Sequence, residues 1–322
     1  MPDFDAPVKL GANCWNQYTD WPTWLAAQQR ADAVGYDSLW TWDHLYPIVG
    51  SHEGPIFECY TAMAAVATTA QRASIGLMVG ANTFRNPALA TKMITTLDHI
   101  SGGRAVLGIG AAWFETEHRA FGLEFGSGAP ERLRWLGEAL PVMRGMLDGT
   151  RPSATGEMYH ARDVQNLPAP VQPHLPILLG GGGPKVTLKL VARYGDACNL
   201  GGGIESVREK ERILVEHCEA VGRDEREIER TVGMGTPVIR DSRAEAERVF
   251  ADIFERNGRA RIWEEQPVGT PEDVFEMCAP FVELGYRHYI FGLPSPYDEE
   301  TMTRLAREVR PRLEALTGRA RG

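Results

Sequence analysis

The sequence predicts an α/β protein built as one (β/α)8 barrel. Three observations carry that reading. Short apolar runs and amphipathic stretches alternate eight times over about 300 residues, the pattern expected of buried parallel strands returned by helices. No linker-like change of composition divides the chain, so 1–322 reads as one domain rather than a doubly wound sheet with a second domain. A chain of 322 residues buries enough surface to fold without a disulfide or metal staple.

The eight strand-like runs are 8–14, 36–42, 73–80, 104–110, 176–180, 197–200, 230–239 and 286–292, each followed by a helical pattern. After the third run, Asn86-Pro87 reads as a helix cap with proline in the first turn, and Gly102-Gly103 returns the chain to the fourth strand. Leu133, Leu136, Leu140 and Met143 then recur at helical spacing. The non-repeating stretch 150–175 reads as an insertion loop between the fourth and fifth units. After the fifth strand, Pro184 is expected to open a helix that Gly195 closes. Ser206-x-x-Glu209 and Ser242-x-x-Glu245 read as capping boxes, and Thr270-Pro271 repeats the cap-plus-proline signal. Met302, Leu305, Val309, Leu313 and Leu316 form the apolar stripe of a last helix.

Composition excludes several function classes. With 34 basic and 43 acidic residues the net charge is −9, which argues against nucleic acid or an anionic membrane as the main partner. Five dispersed cysteines, without a CxxC pair or histidines at ligand spacing, suggest reduced thiols, a cytoplasmic setting and no metal site. The N-terminal residues show no signal-peptide pattern, and no stretch reads as a membrane span.

In such a barrel, chemistry collects at the C-terminal ends of the strands. At the first end stand Asn13, Cys14 and Trp15 rather than the His-x-His of barrel metallohydrolases. At the second, Asp43 and His44 follow Trp42; the histidine is a candidate proton carrier, the aspartate a candidate orienting or ligand-binding group. A capped surface turn is the competing reading. His118, after the fourth strand, reads as structural. Gly110, Ala111 and Ala112 leave room for a flat ring against the backbone, next to Trp113. Gly180 to Pro184 after the fifth strand form a candidate phosphate cradle at a helix N-terminus, against the alternative of a plain turn. No lysine falls at a strand end and no Gly-x-Ser-x-Gly elbow is present, which demotes Schiff-base and serine-esterase chemistry.

Three segments together resemble the luciferase-like monooxygenase superfamily, most closely its coenzyme F420-dependent branch. They are YDSLWTWDH (36–44), GLMVGANTFRNPALATKMITTLDHISGGRAVLGIGAAWFETEHRAFG (76–122) and PILLGGGGPKVTLKLVARYGDACN (176–199). The resemblance implies a dimeric (β/α)8 enzyme that passes a hydride between the deazaflavin and a small organic substrate. It implies a non-proline cis peptide at Met78–Val79, which with Gly80 backs the cofactor ring, and ring contacts from Ala111 and Ala112. Asn13 and Asp43 would also touch the cofactor, and Gly181, Gly182, Gly183 and Pro184 would hold its phosphate. His44, Asp43 and Trp113 are the catalytic candidates. An FMN-dependent two-component monooxygenase, fed by a partner reductase, and a non-catalytic flavin-binding barrel are the alternatives. The sequence departs from the family's sugar-phosphate dehydrogenases: Trp113 replaces a glutamate, Ile48 replaces an aromatic, and no lysine stands beside Gly201-Gly202-Gly203. Glucose 6-phosphate is therefore not the expected substrate, and an alcohol, ketone or activated alkene is.

Overall fold

The computed structural model describes residues 6–258 and 266–317. Eight parallel strands close into a barrel: Lys9–Cys14, Ser38–Thr41, Ser74–Leu77, Ala105–Gly110, Ile177–Gly180, Ala197–Leu200, Glu229–Gly233 and His288–Leu293. Each strand pairs with the next, and the eighth closes on the first from Lys9 opposite His288 to Cys14 opposite Leu293. Each of the eight overlaps one of the apolar runs, because strands covered by helices outside and side chains inside have no polar face to show.

Two apolar layers hold the barrel. A large cluster lies between the sheet and the helices, with Leu10, Leu39, Ile75, Leu107, Ile177 and Leu179 fully buried in it. A smaller one fills the interior, where Trp40, Leu178, Ala197 and Ile290 pack together. The interior is tight: a Cβ on Gly11 would lie 2.7 Å from Ser38 Oγ. At the N-terminal end, Trp40 Nε1 donates to Ser38 Oγ at 2.6 Å. The same oxygen meets His288 Nε2 at 2.7 Å, and His288 Nδ1 meets Glu229 at 3.1 Å. Such a network at the face away from the strand C-termini serves stability.

Several helix ends follow the sequence chemistry. Asn86 caps Pro87–Ser101 by accepting from Ala88 N–H at 2.9 Å, and Gly102 ends it with φ 70°. Ser242 caps Arg243–Arg256, and Thr270 with Asp273 forms a capping box on Pro271–Glu283. Three expectations are corrected. The run 230–239 is not one strand: it breaks after Gly233, at Gly235 (φ 74°) and Pro237, and Val238–Ile239 pairs instead with Val268–Gly269. The helix after the fifth strand starts at Thr187, not Pro184, because residues 184–186 form a turn. Ser206 is not a cap; the helix Ile204–Val221 begins at Gly203, so Ser206 is already inside it. Within 150–175, Ala154–Thr155 and His160–Ala161 make a short antiparallel pair.

Candidate active site

Two adjoining cavities open at the C-terminal mouth of the barrel. One has a volume of about 420 Å³ and the other about 960 Å³. Trp42, Ile48, Met78, Trp113 and Asn199 line both, so the two form one continuous space. Asp43, His44, Val79, Gly80, Ala111, Ala112 and Gly181 line the smaller; Asn13 lines the larger. Gly182, Gly183 and Pro184 are outside both walls.

The floor of the smaller cavity is backbone. The Met78–Val79 peptide is cis, and Val79 places its methyl groups between the ends of the fourth and fifth strands. A Cβ on Gly110 would come within 2.9 Å of Val79, and one on Gly180 within 2.7 Å. Ala112 holds a left-handed backbone (φ 63°), and its carbonyl accepts from Arg132 Nε at 3.2 Å. The strand ends are therefore flat and narrow, and the glycines are required by close approach.

Asp43 and His44 diverge. Asp43 is 2% exposed and accepts both guanidinium nitrogens of Arg85, at 2.7 and 3.1 Å, and Ala81 N–H at 2.8 Å. The Cys59 thiol also donates to it, at 2.9 Å. Burial, then the Asp43 charge, push that thiol well up, so it stays protonated as a donor. Asp43 does not orient His44. Glu117 does: His44 Nδ1 lies 2.8 Å from Glu117 Oε1, and Glu117 Oε2 accepts from Leu45 N–H at 2.7 Å. An ionised carboxylate only accepts, so the proton sits on His44 Nδ1 and the Nε2 lone pair is free. Trp113, 61% exposed, stands edge-on to His44 with ring centroids 5.5 Å apart. His118 is buried between Thr83 Oγ1 and the Phe114 carbonyl, each 2.7 Å away. Burial pushes its imidazole below the usual value, in keeping with a structural role.

Beside the two cavities, the glycine run that borders the smaller and the one that borders the larger meet a lysine. The sequence shows no lysine beside Gly201–Gly203, but the fold brings Lys210 back to them from the second turn of Ile204–Val221. Its Nζ donates to the Gly201 carbonyl at 2.7 Å. A Cβ on Gly182 would meet Lys210 Cδ at 2.9 Å and Nζ at 3.2 Å. Burial pushes its ammonium below the usual value, and among the described residues no carboxylate pairs with it. Two helix N-termini and a lysine that pairs with no described carboxylate are groups of the kind that attract an anion.

The luciferase-like monooxygenase family model matches residues 12–274. The chain belongs to that family. It is 29% identical over 314 residues to an F420-dependent glucose-6-phosphate dehydrogenase of Amycolatopsis mediterranei, covering 89% of this chain and 93% of the relative. Among solved structures it is similar to an F420-dependent secondary alcohol dehydrogenase in complex with an F420–acetone adduct. That match has TM-score 0.81 and 20% identity, over 96% of this chain and 99% of the other. It is also similar to the coenzyme F420-dependent tetrahydromethanopterin reductase of Methanopyrus kandleri, with TM-score 0.77 and 18% identity, over 96% and 100%. At these identities the two structures speak for the fold.

In this luciferase-like barrel, three members of the site escaped the sequence reading: Glu117, Arg85 and Lys210. Glu117 carried one signal only, its place four residues past Trp113; its burial on the helix Glu115–Phe121, which obliges a carboxylate to find a partner, is a finding of the structure. Arg85 and Lys210 carried none, because each reaches the site across the mouth of the barrel.

Proposed function

We propose that this luciferase-like protein is an oxidoreductase that binds coenzyme F420 and acts on an uncharged alcohol, ketone or activated alkene. The observation that carries the reading is the His44–Glu117 pair in the wall of a cavity floored by bare backbone. The floor of Val79, Gly110 to Ala112 and Gly180 fits a flat tricyclic ring. Lys210, Gly182 and the helix start at Thr187 fit its phosphate. The F420-dependent activity in the relative's name supports the same cofactor.

The deazaflavin, when bound, supplies a two-electron hydride acceptor or donor. The residues of this chain do the rest. The small residues at the strand ends and Val79 fix the plane of the ring. Glu117 holds the His44 Nδ1 proton and turns Nε2 toward the cavity. In oxidation of an alcohol, His44 Nε2 accepts the hydroxyl proton as the hydride leaves the carbinol carbon; in reduction it returns that proton to the oxygen. Asp43, neutralised by Arg85, positions the loop that carries His44. Trp113 and Ile48 line the space where the family's sugar-phosphate dehydrogenases carry a glutamate and an aromatic. Among the described residues no lysine or arginine lines the larger cavity, which favours an uncharged substrate over glucose 6-phosphate. The family resemblance also supports a cytoplasmic homodimer with one domain over 1–322.

Parallel fluorescence titrations with F420 and FMN test the reading. F420 binding, followed by its reduction with a secondary alcohol but not with glucose 6-phosphate, is expected. Tight FMN binding without F420 binding overturns it in favour of the monooxygenase. Full turnover by H44A removes the histidine from the mechanism.

A further inference from the structure

The far wall of the larger cavity holds two polar atoms that lack partners. Asn13 is the last residue but one of the first strand and Trp15 follows two residues later, so both face the barrel mouth. They are 7% and 5% exposed. Asn13 Oδ1 and Trp15 Nε1 form no hydrogen bond with any described residue. A buried indole N–H normally finds an acceptor, and leaving it bare costs more than a made bond returns.

Packing fixes this N–H in place. The Trp15 ring lies against Trp42, with centroids 4.4 Å apart and planes 31° apart, and edge-on to Phe254 at 6.0 Å. A Cβ on Gly292 would lie 3.0 Å from Trp15 Nε1, so any larger residue there would press on the indole N–H. Most of the cavity's large side chains are apolar, among them Met234, Phe254, Met277, Phe281 and Ile290, with Asn199, Thr236 and Gln266 as neutral polar neighbours. Among the described residues of the lining Glu276 alone is charged, and it would repel a phosphate or carboxylate.

We propose that Trp15 and Asn13 form a hydroxyl-binding subsite for a rigid, uncharged, mainly apolar substrate. The hydroxyl oxygen accepts from Trp15 Nε1–H, and its proton goes to Asn13 Oδ1. The opposite end of the same molecule extends past Met78 and Trp113 into the smaller cavity. This rests on the reading of the smaller cavity as the redox site, but the subsite itself is defined without the cofactor.

The test uses two uncharged probes that differ by one remote hydroxyl, testosterone and androst-4-en-3-one. Binding to the wild-type, cofactor-free chain is measured by isothermal titration calorimetry. Testosterone is expected to bind about tenfold more tightly, the worth of a hydroxyl that satisfies buried partners. In Trp15→Phe, which keeps the ring and loses the N–H, the two probes should bind within about twofold of each other. Equal affinities in the wild type overturn the subsite, as does discrimination that survives Trp15→Phe. No binding of either probe overturns it too. F420 binding is titrated separately on the same preparation, so loss of the subsite and loss of the cofactor reading are distinguishable. The wild-type comparison needs no variant to fold.

Discussion

Glu117→Gln is the sharpest perturbation of the site, because it changes one atom and should reverse one tautomer. Glu117 Oε1 faces His44 Nδ1 at 2.8 Å and Oε2 faces Leu45 N–H at 2.7 Å. A glutamine has two ways to sit there. With its NH2 toward Leu45, two donors would oppose each other, at a cost of about 1–3 kcal/mol for the backbone N–H left unpaired. With its NH2 toward His44, Leu45 keeps its acceptor, and His44 Nδ1 must become the acceptor of the new donor. The second arrangement wins, and the imidazole proton moves to Nε2. The base that should take the alcohol proton is then blocked. General base catalysis supplies about 10²–10⁴ in rate, so kcat for alcohol oxidation should fall by about that factor, with KM nearly unchanged. F420 affinity should stay within about threefold, since the floor is untouched. H44A should lose a similar factor, and the double variant should be no slower than H44A, because the two residues act as one unit. Stopped-flow absorbance of F420 reduction reads the rate, and fluorescence titration reads the affinity. An E117Q enzyme within threefold of wild type, or a double variant with additive losses, would refute the tautomer argument.

Three other outcomes are expected. Gly180→Ala puts a methyl 2.7 Å from Val79, displacing the residue that supports the ring, so F420 affinity should drop at least about tenfold; unchanged affinity in a titration counts against the floor. Lys210→Met should weaken F420 binding about tenfold at low salt, and the gap should narrow as salt screens the wild type; a salt-independent gap would point to packing instead. Glu229 is the pH-sensitive group of the far end. Burial opposes its charge, but His288 and Lys9 outweigh burial and bring its carboxyl from 4.5 to about 2. A depressed carboxyl stabilises fully above its unfolded value and loses that contribution as pH falls from about 4.5 toward 2. Its side chain is 40% exposed, so after solvent screening the contribution is about 1 kcal/mol. The melting temperature of wild type should fall more steeply than that of E229Q between pH 5 and pH 3, and parallel slopes by calorimetry would remove the effect.

The barrel was legible because its strands obey a local rule. A parallel strand covered on both faces shows as an apolar run whatever its neighbours are, and each of the eight did. The reading failed where an apolar run continued past a backbone break: Met234 and Val238 are buried like strand residues, yet Gly235 and Pro237 turn the chain out of the barrel. The site was half legible for a related reason. Asp43 and His44 stand out because they follow a strand, and their adjacency suggests a pair. On extended backbone, however, successive side chains point in opposite directions. Asp43 therefore turns to Arg85, and His44 to a glutamate 73 residues later. Sequence adjacency at the end of a strand thus argues against a catalytic dyad, and the true partner has to come from another unit of the barrel. The same alternation explains why Asn13 and Trp15, two apart rather than one, share a wall.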